Sequence, residues 1–134
     1  MLYNIFLVAL GGAIGSVMRF SVSEIFIKSC KGFEHIFGKF PVGTFTVNVV
    51  GSMFAGIAYY FIIRNFDESS SQIKHFFLTG ILGGFTTFSA FSLDFFRLFN
   101  SGNVLIAVGY AFLSIFLSVS ILAVSFHVTK IIFP

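Results

Sequence analysis

Four long apolar stretches, over residues 4–27, 42–63, 75–99 and 104–126, alternate along the chain with short polar segments. A helix needs about 20 mainly apolar residues to cross the hydrocarbon layer, so each stretch predicts one spanning helix. The separators carry turn and charge signals: Lys28 to Phe40, Arg64 to Lys74 with the run Asp67-Glu68-Ser69-Ser70-Ser71, and Asn100-Ser101-Gly102-Asn103. The pattern predicts an all-α membrane protein, one four-helix domain over 1–134. The third stretch departs from the others at Gly83-Gly84-Phe85-Thr86-Thr87-Phe88-Ser89-Ala90-Phe91-Ser92, where two glycines, two threonines and two serines accompany three phenylalanines. Glycine is a poor helix former and hydroxyls compete for backbone hydrogen bonds, so the third helix is expected to break there, mid-membrane. Irregular backbone survives in a bilayer only where protein or a water-filled cavity satisfies its freed groups, which makes the break a candidate ion site.

Composition fixes the solvent. Hydrophobic residues make up 57% of the chain and charged ones 10%, with mean hydropathy +0.99, more apolar surface than a soluble domain of 134 residues can bury. The first stretch has no Lys or Arg before it and no small-residue cleavage site after it, so it reads as a retained helix and not a signal peptide. The single cysteine, Cys30, excludes an intrachain disulfide and reads as incidental. The distribution of charge carries more information than the net +3. Lys28, Lys31 and Lys39, with Arg19 and Arg97 near span ends, lie on the side of the first and third loops, and Arg64, Lys74 and Lys130 lie on the other. Five cations against three is a weak positive-inside bias. Two arrangements therefore stand open: a fixed topology with the first and third loops cytoplasmic, or a chain that inserts both ways and pairs antiparallel with its own copy.

Small residues recur at four-residue spacing in Gly11/Gly15, Gly12/Ser16, Gly51/Ala55, Ser52/Gly56 and Gly80/Gly84. Such faces let helix backbones approach closely in lipid, and with only four spans they point to an oligomer. Among polar groups at membrane depth, Asn48 lies about two turns into the second span, and its carboxamide either donates to an anion or bonds another helix. Tyr110, Ser114 and Ser118 recur every four residues, with Ser125 close to the same face, giving a stripe of hydroxyls that either line a path or bond back to their own helix. Phe88 and Phe91 share a face just after the break, where positive ring edges can meet an anion.

Carboxylates are scarce in the spans: Glu24 and Asp94 both lie away from the centre, which disfavours a proton-coupled cation exporter. Arg19 reads equally as a cation that draws anions to a pore mouth or as an anchor that snorkels to headgroups. His35, His75 and His127 lack ligand spacing. Gly11-Gly12-Ala13-Ile14-Gly15 imitates a dinucleotide fingerprint but follows no strand. No nucleophile–base pair or phosphate-cradling loop appears, so no enzyme is expected.

Three motifs in order, Gly11-Gly12-Ala13-Ile14-Gly15-Ser16-Val17-Met18-Arg19-Phe20, Gly43-Thr44-Phe45-Thr46-Val47-Asn48, and the 83–92 segment, resemble the Fluc (CrcB) fluoride channel family over essentially the whole chain. That resemblance implies an antiparallel, dual-topology homodimer in the cell (inner or plasma) membrane that passively exports fluoride through two pores. Its implied partners are fluoride, sodium, membrane lipid and a second copy of the chain, with no nucleic acid. A structural sodium ion at the dimer interface would be held by the backbone carbonyls of Gly83 and Thr86 from both copies. Phe88 and Phe91 would turn ring edges toward fluoride, Asn48 would be the pore amide, Tyr110, Ser114 and Ser118 the polar track, Thr87 and Ser89 further pathway hydroxyls, and Arg19 the vestibule cation. Two positions depart from the family pattern. Ala90 stands where threonine is usual, and Asp94 replaces a common glutamate, shortening the carboxylate's reach by ~1.5 Å. A subunit of a heterodimeric fluoride channel is the alternative within the family, although the intact motifs favour a homodimer. A small four-helix multidrug-type antiporter is the alternative outside it, and lacks support because the first span has no central glutamate.

Overall fold

A computed structural model describes residues 1–30, 39–65 and 71–134, without the side chains of Cys30 and Ser71. Lys31, His35 and the acidic run at 67–70 lie outside the described residues. The described chain is helical throughout: α1 (Leu2–Cys30), α2 (Val42–Asn65), α3 over 71–85, α4 (Phe88–Asn100) and α5 (Val104–Ile132). Within α3, Ser71–Lys74 and Gly83–Phe85 are α-helical turns around a π-helical stretch, His75–Leu82. Four helical segments, Leu2–Ser29, Val42–Asn65, Gln72–Asn100 and Val104–Ile132, are long and apolar enough to cross a membrane. The outer helices run past the apolar stretches that predict them, α5 by a turn and a half to Ile132, because a helix continues into the interface where hydrophobicity no longer marks it.

The polar separators end helices by local chemistry. Gly102, at φ 78°, takes the left-handed conformation that side chains disfavour, and lets Gly102 N–H reach Phe99 O (3.1 Å) and Asn103 N–H reach Leu98 O (3.0 Å). That pair of bonds satisfies the last carbonyls of α4 and reverses the chain into α5. Pro41 sits just before α2, where its missing N–H would have no helical partner in any case.

Glycine decides how the helices meet. A Cβ on Gly11 would lie 2.6 Å from the Phe76 carbonyl oxygen, one on Gly84 would lie 2.6 Å from the Gly12 carbonyl oxygen, and one on Gly15 would overlap the Ile81 carbonyl. α1 and α3 are therefore in backbone-to-backbone contact along Gly11, Gly15, Gly80 and Gly84. On the other side of the bundle, Gly56 of α2 packs under Ser125 and Leu122 of α5, and Gly51 lies beneath Thr86 and Phe85. The glycines of the Gly11/Gly15, Gly51/Ala55, Ser52/Gly56 and Gly80/Gly84 faces are thus packed within one chain, whereas a Cβ on Gly12 would meet nothing within 4 Å. Dispersion between closely approaching backbones holds such contacts where lipid removes the hydrophobic drive.

α2 and α5 run parallel. Their far ends are fastened by Tyr60 Oη and Arg64 Nη1, both of which donate to the Phe133 carbonyl, and by Arg64 Nη1 donating to Tyr60 Oη at 3.0 Å. Their near ends close on Phe91, Leu98, Ala107 and Tyr110, the buried cluster between α4 and α5. Outward positions are large and apolar, such as Leu105 and Phe112, as a lipid-facing surface requires.

Candidate functional site

Helical hydrogen bonding stops at two residues. Thr86 (φ −77°, ψ 157°) and Thr87 (φ −150°, ψ 118°) are extended between α3 and α4. In an uninterrupted helix Thr87 N–H would donate to the Gly83 carbonyl and Ala90 N–H to the Thr86 carbonyl. Here Asn48 Oδ1 takes the first donor at 2.9 Å and Thr87 Oγ1 takes the second at 3.2 Å. Both carbonyls thereby lose their helical donors. Gly83 is exposed, and a Cβ there would meet nothing nearer than the Leu78 carbonyl oxygen at 3.6 Å, so the surface beside Gly83 is open, while Thr86 is half-buried.

Asn48 holds the break from α2. Its Nδ2 donates to Thr87 O at 3.1 Å while its Oδ1 accepts from Thr87 N–H, so one side chain replaces a missing turn of helix. One amide hydrogen remains after this pairing. The two readings of Asn48 from sequence are therefore compatible: it bonds another element and still faces the groove with a donor.

That groove, about 520 Å³, lies between α2, the break and α5, and its lining includes Asn48, Thr87, Phe88, Phe91, Ser114 and Ser118. Tyr110 Oη, Ser114 Oγ and Ser118 Oγ are buried without a hydrogen-bond partner among the described residues. An unmet buried hydroxyl costs about 1–3 kcal/mol, so three on one helix face are an expensive arrangement for packing alone. Ser125 leaves the stripe: its hydroxyl bonds back to Leu122 O (3.0 Å) and its side chain lies against Gly56, outside the groove. At about 100° per residue Ser125 still points within the arc of Ser114 and Ser118, so its level along the helix, where α5 packs directly on Gly56 of α2, takes it out of the groove.

The two phenylalanines differ. Phe91 is 9% exposed and packs on Tyr110 with ring centroids 5.3 Å apart, whereas Phe88 is 76% exposed with its centroid 5.4 Å from that of Phe91. Ser89 is exposed too, its hydroxyl 3.2 Å from Thr87 Oγ1.

A second cavity, about 280 Å³, opens on the other side of the break and is lined by Arg19, Ser16, Ser23, Thr44, Thr87 and Ala90, among others. Thr87 borders both spaces, so the break stands between them. Arg19 is half-buried and faces this cavity, apart from the Asn48 groove. Because Ala90 ends at Cβ, it adds no hydroxyl to the wall. Sequence reasoning missed the partner of Asp94, whose Oδ2 accepts from Thr44 Oγ1 at 2.6 Å across 50 residues. The only signal available was an acid and a threonine both placed where polar groups are expensive. The Arg97–Asp94 pair at 4.0 Å is long and its arginine is largely exposed, so it contributes little. No group of three or more His, Cys, Asp or Glu side chains that could hold a metal ion occurs among the described residues.

Residues 6–126 match the family described as CrcB-like protein, Camphor Resistance (CrcB). A protein named fluoride-specific ion channel FluC from Azobacteroides pseudotrichonymphae is 44% identical over 115 residues, 86% of each chain. Proteins of the same name from Allorhizobium ampelinum and Desulfotalea psychrophila are 43% identical over 113 residues (84% of each chain) and 38% identical over 126 residues (94% of this chain, 91% of the relative). Relatives named as ion channels, and four apolar helices, make this a multi-pass integral membrane protein and not an enzyme. With residues 6–126 matched by the family and 84–94% of the chain aligned to these relatives at 38–44% identity, the chain belongs to the CrcB-like family.

Proposed function

We propose that this protein is a fluoride-selective channel that passively exports the ion across the cell membrane, built as an antiparallel, dual-topology homodimer with two pores. The observation that carries the reading is the groove lined by Asn48, which keeps one amide hydrogen, and by Ser114 and Ser118, whose buried hydroxyls are unpaired among the described residues, with the unpaired hydroxyl of Tyr110 one turn from Ser114 on α5. Neutral donors at this spacing suit a small, strongly hydrated anion: each replaces a water molecule, and none traps the ion as a fixed cation would. Phe91 adds a ring to the wall, and the exposed Phe88 offers another on a surface that a second copy would cover. Thr87 and Ser89 supply hydroxyls at the break, and Arg19 supplies positive potential in the adjoining cavity.

A structural sodium ion fits the chemistry of the break. The carbonyls of Gly83 and Thr86 have lost their helical donors and Gly83 stands at open surface, so paired with the same two carbonyls of an inverted copy they would form a four-oxygen set. Bound there, the ion would supply a buried positive charge that links the copies and lowers the cost of an anion nearby. Asn48 and Thr87 keep those carbonyls free by holding the competing N–H groups.

The test is fluoride efflux from liposomes containing the purified protein, with a potassium gradient and valinomycin setting the voltage, against chloride under the same conditions. Rapid fluoride release with little chloride movement is expected. No release from a verified folded dimer would overturn the reading.

A further inference from the structure

Ser52 lies one helical turn beyond Asn48 on α2 and lines the same groove. Hydroxyls inside helices commonly satisfy themselves on the carbonyl one turn back, as Ser21 does on Val17, Thr86 on Leu82 and Ser92 on Phe88. Ser52 makes no side-chain hydrogen bond among the described residues, a state it shares with Ser114 and Ser118 across the groove. The depth of each follows from the helix register. Gly56 packs on Ser125 and Tyr60 reaches Phe133, so α2 and α5 run parallel with an offset of about 70 residues. At that offset Ser118 lies about level with Asn48, and Ser52 lies about one turn further on, near the level of Leu122 and beyond the last free hydroxyl of α5.

The α5 wall past that level is Val119 and Leu122, and Ser125, the next hydroxyl, is bonded to its own helix against Gly56. An anion leaving Ser118 toward that end would meet only apolar groups on α5. We propose that Ser52 is a further fluoride-contacting residue, which carries the pathway one turn beyond Asn48 on the α2 wall and hands the ion between Ser118 and the far mouth. The assignment rests on the channel reading above, and it gives the pathway two walls: Asn48 and Ser52 on α2, Ser114 and Ser118 on α5.

Fluoride efflux from liposomes tests it with Ser52→Ala, Ser52→Thr, Ser52→Cys and Ser118→Ala, plus Ser120→Ala as a control outside the groove, each checked for dimer elution. Ser52→Ala is expected to slow efflux about tenfold, the scale of one hydrogen bond to a charged partner, with Ser52→Thr near wild type. Ser52→Cys nearly preserves volume but donates weakly, so it also slows efflux if contact matters, and it serves in place of Ser52→Ala should alanine fail to give folded protein. Wild-type efflux for Ser52→Ala or Ser52→Cys beside an impaired Ser118→Ala overturns the role of Ser52 and leaves the channel reading standing. Wild-type efflux for both Ser52→Ala and Ser118→Ala overturns the pathway itself.

Discussion

The contact between α1 and α3 and the groove between α2 and α5 are built from the same class of small residues, yet they are opposites. At the first, Gly11, Gly15, Gly80 and Gly84 bring two backbones together so closely that a Cβ on Gly11, Gly15 or Gly84 would overlap the facing backbone and one on Gly80 would press on Gly11. At the second, Ser52, Ser114 and Ser118 keep the helices near enough to share a wall but leave their hydroxyls without protein partners. Small size serves tight packing where the residue is glycine, and an unfilled polar surface where it is serine. One region supplies rigidity and the other accepts a cost in stability for a place to put an ion, a division expected where function requires unmet polar groups.

The comparison breaks most severely at glycine. Gly15→Val is expected to drive side-chain atoms into the Ile81 carbonyl and destabilise the fold by at least ~3 kcal/mol, read as loss of the folded peak and a lower Tm in detergent. A stable, active Gly15→Val protein would mean the α1–α3 contact is not the rigid half. Asn48→Asp is next: the acceptor for Thr87 N–H remains, but the donor to Thr87 O is lost and a negative charge enters the groove. Fluoride efflux should fall about 100-fold or more with dimer elution unchanged, because an unpaired charge in such a site costs several kcal/mol. Phe88→Ile should lower efflux about tenfold, the worth of one aromatic edge, and leave folding intact since the ring is exposed within the chain. Ser114→Ala sharpens the contrast most finely. Removal of an unmet buried hydroxyl should leave Tm unchanged or raised while efflux falls several-fold, the reverse of the glycine effect. A drop in Tm alongside efflux would place Ser114 with the packing residues instead.

Much of this was legible before any coordinates. The apolar stretches predict the spans, and the hydroxyls at Tyr110, Ser114 and Ser118 predict one shared face, because helix length and the 3.6-residue repeat are properties of the chain itself. The fate of Ser125 was not legible, since a hydroxyl near that face either lines a groove or bonds its own turn depending on which helix lies against it. Nor was the π-helical stretch His75–Leu82, whose composition does not differ from that of an ordinary apolar helix. The bond between Thr44 and Asp94 joins residues 50 positions apart, beyond the reach of any local pattern.

By itself the sequence determined the solvent, the number of spanning helices, the segment 83–92 within which the helix is interrupted, and the family to which those motifs are similar. These follow from hydrophobicity, periodicity and backbone propensity, which act along the chain. Only the tertiary structure decided which small residues are contacts and which are lining, that Asn48 replaces the missing turn at Thr87, and that the Gly83 and Thr86 carbonyls go without helical donors. Those outcomes depend on which groups from distant segments compete for the same hydrogen bond, and that competition exists only once the helices are packed.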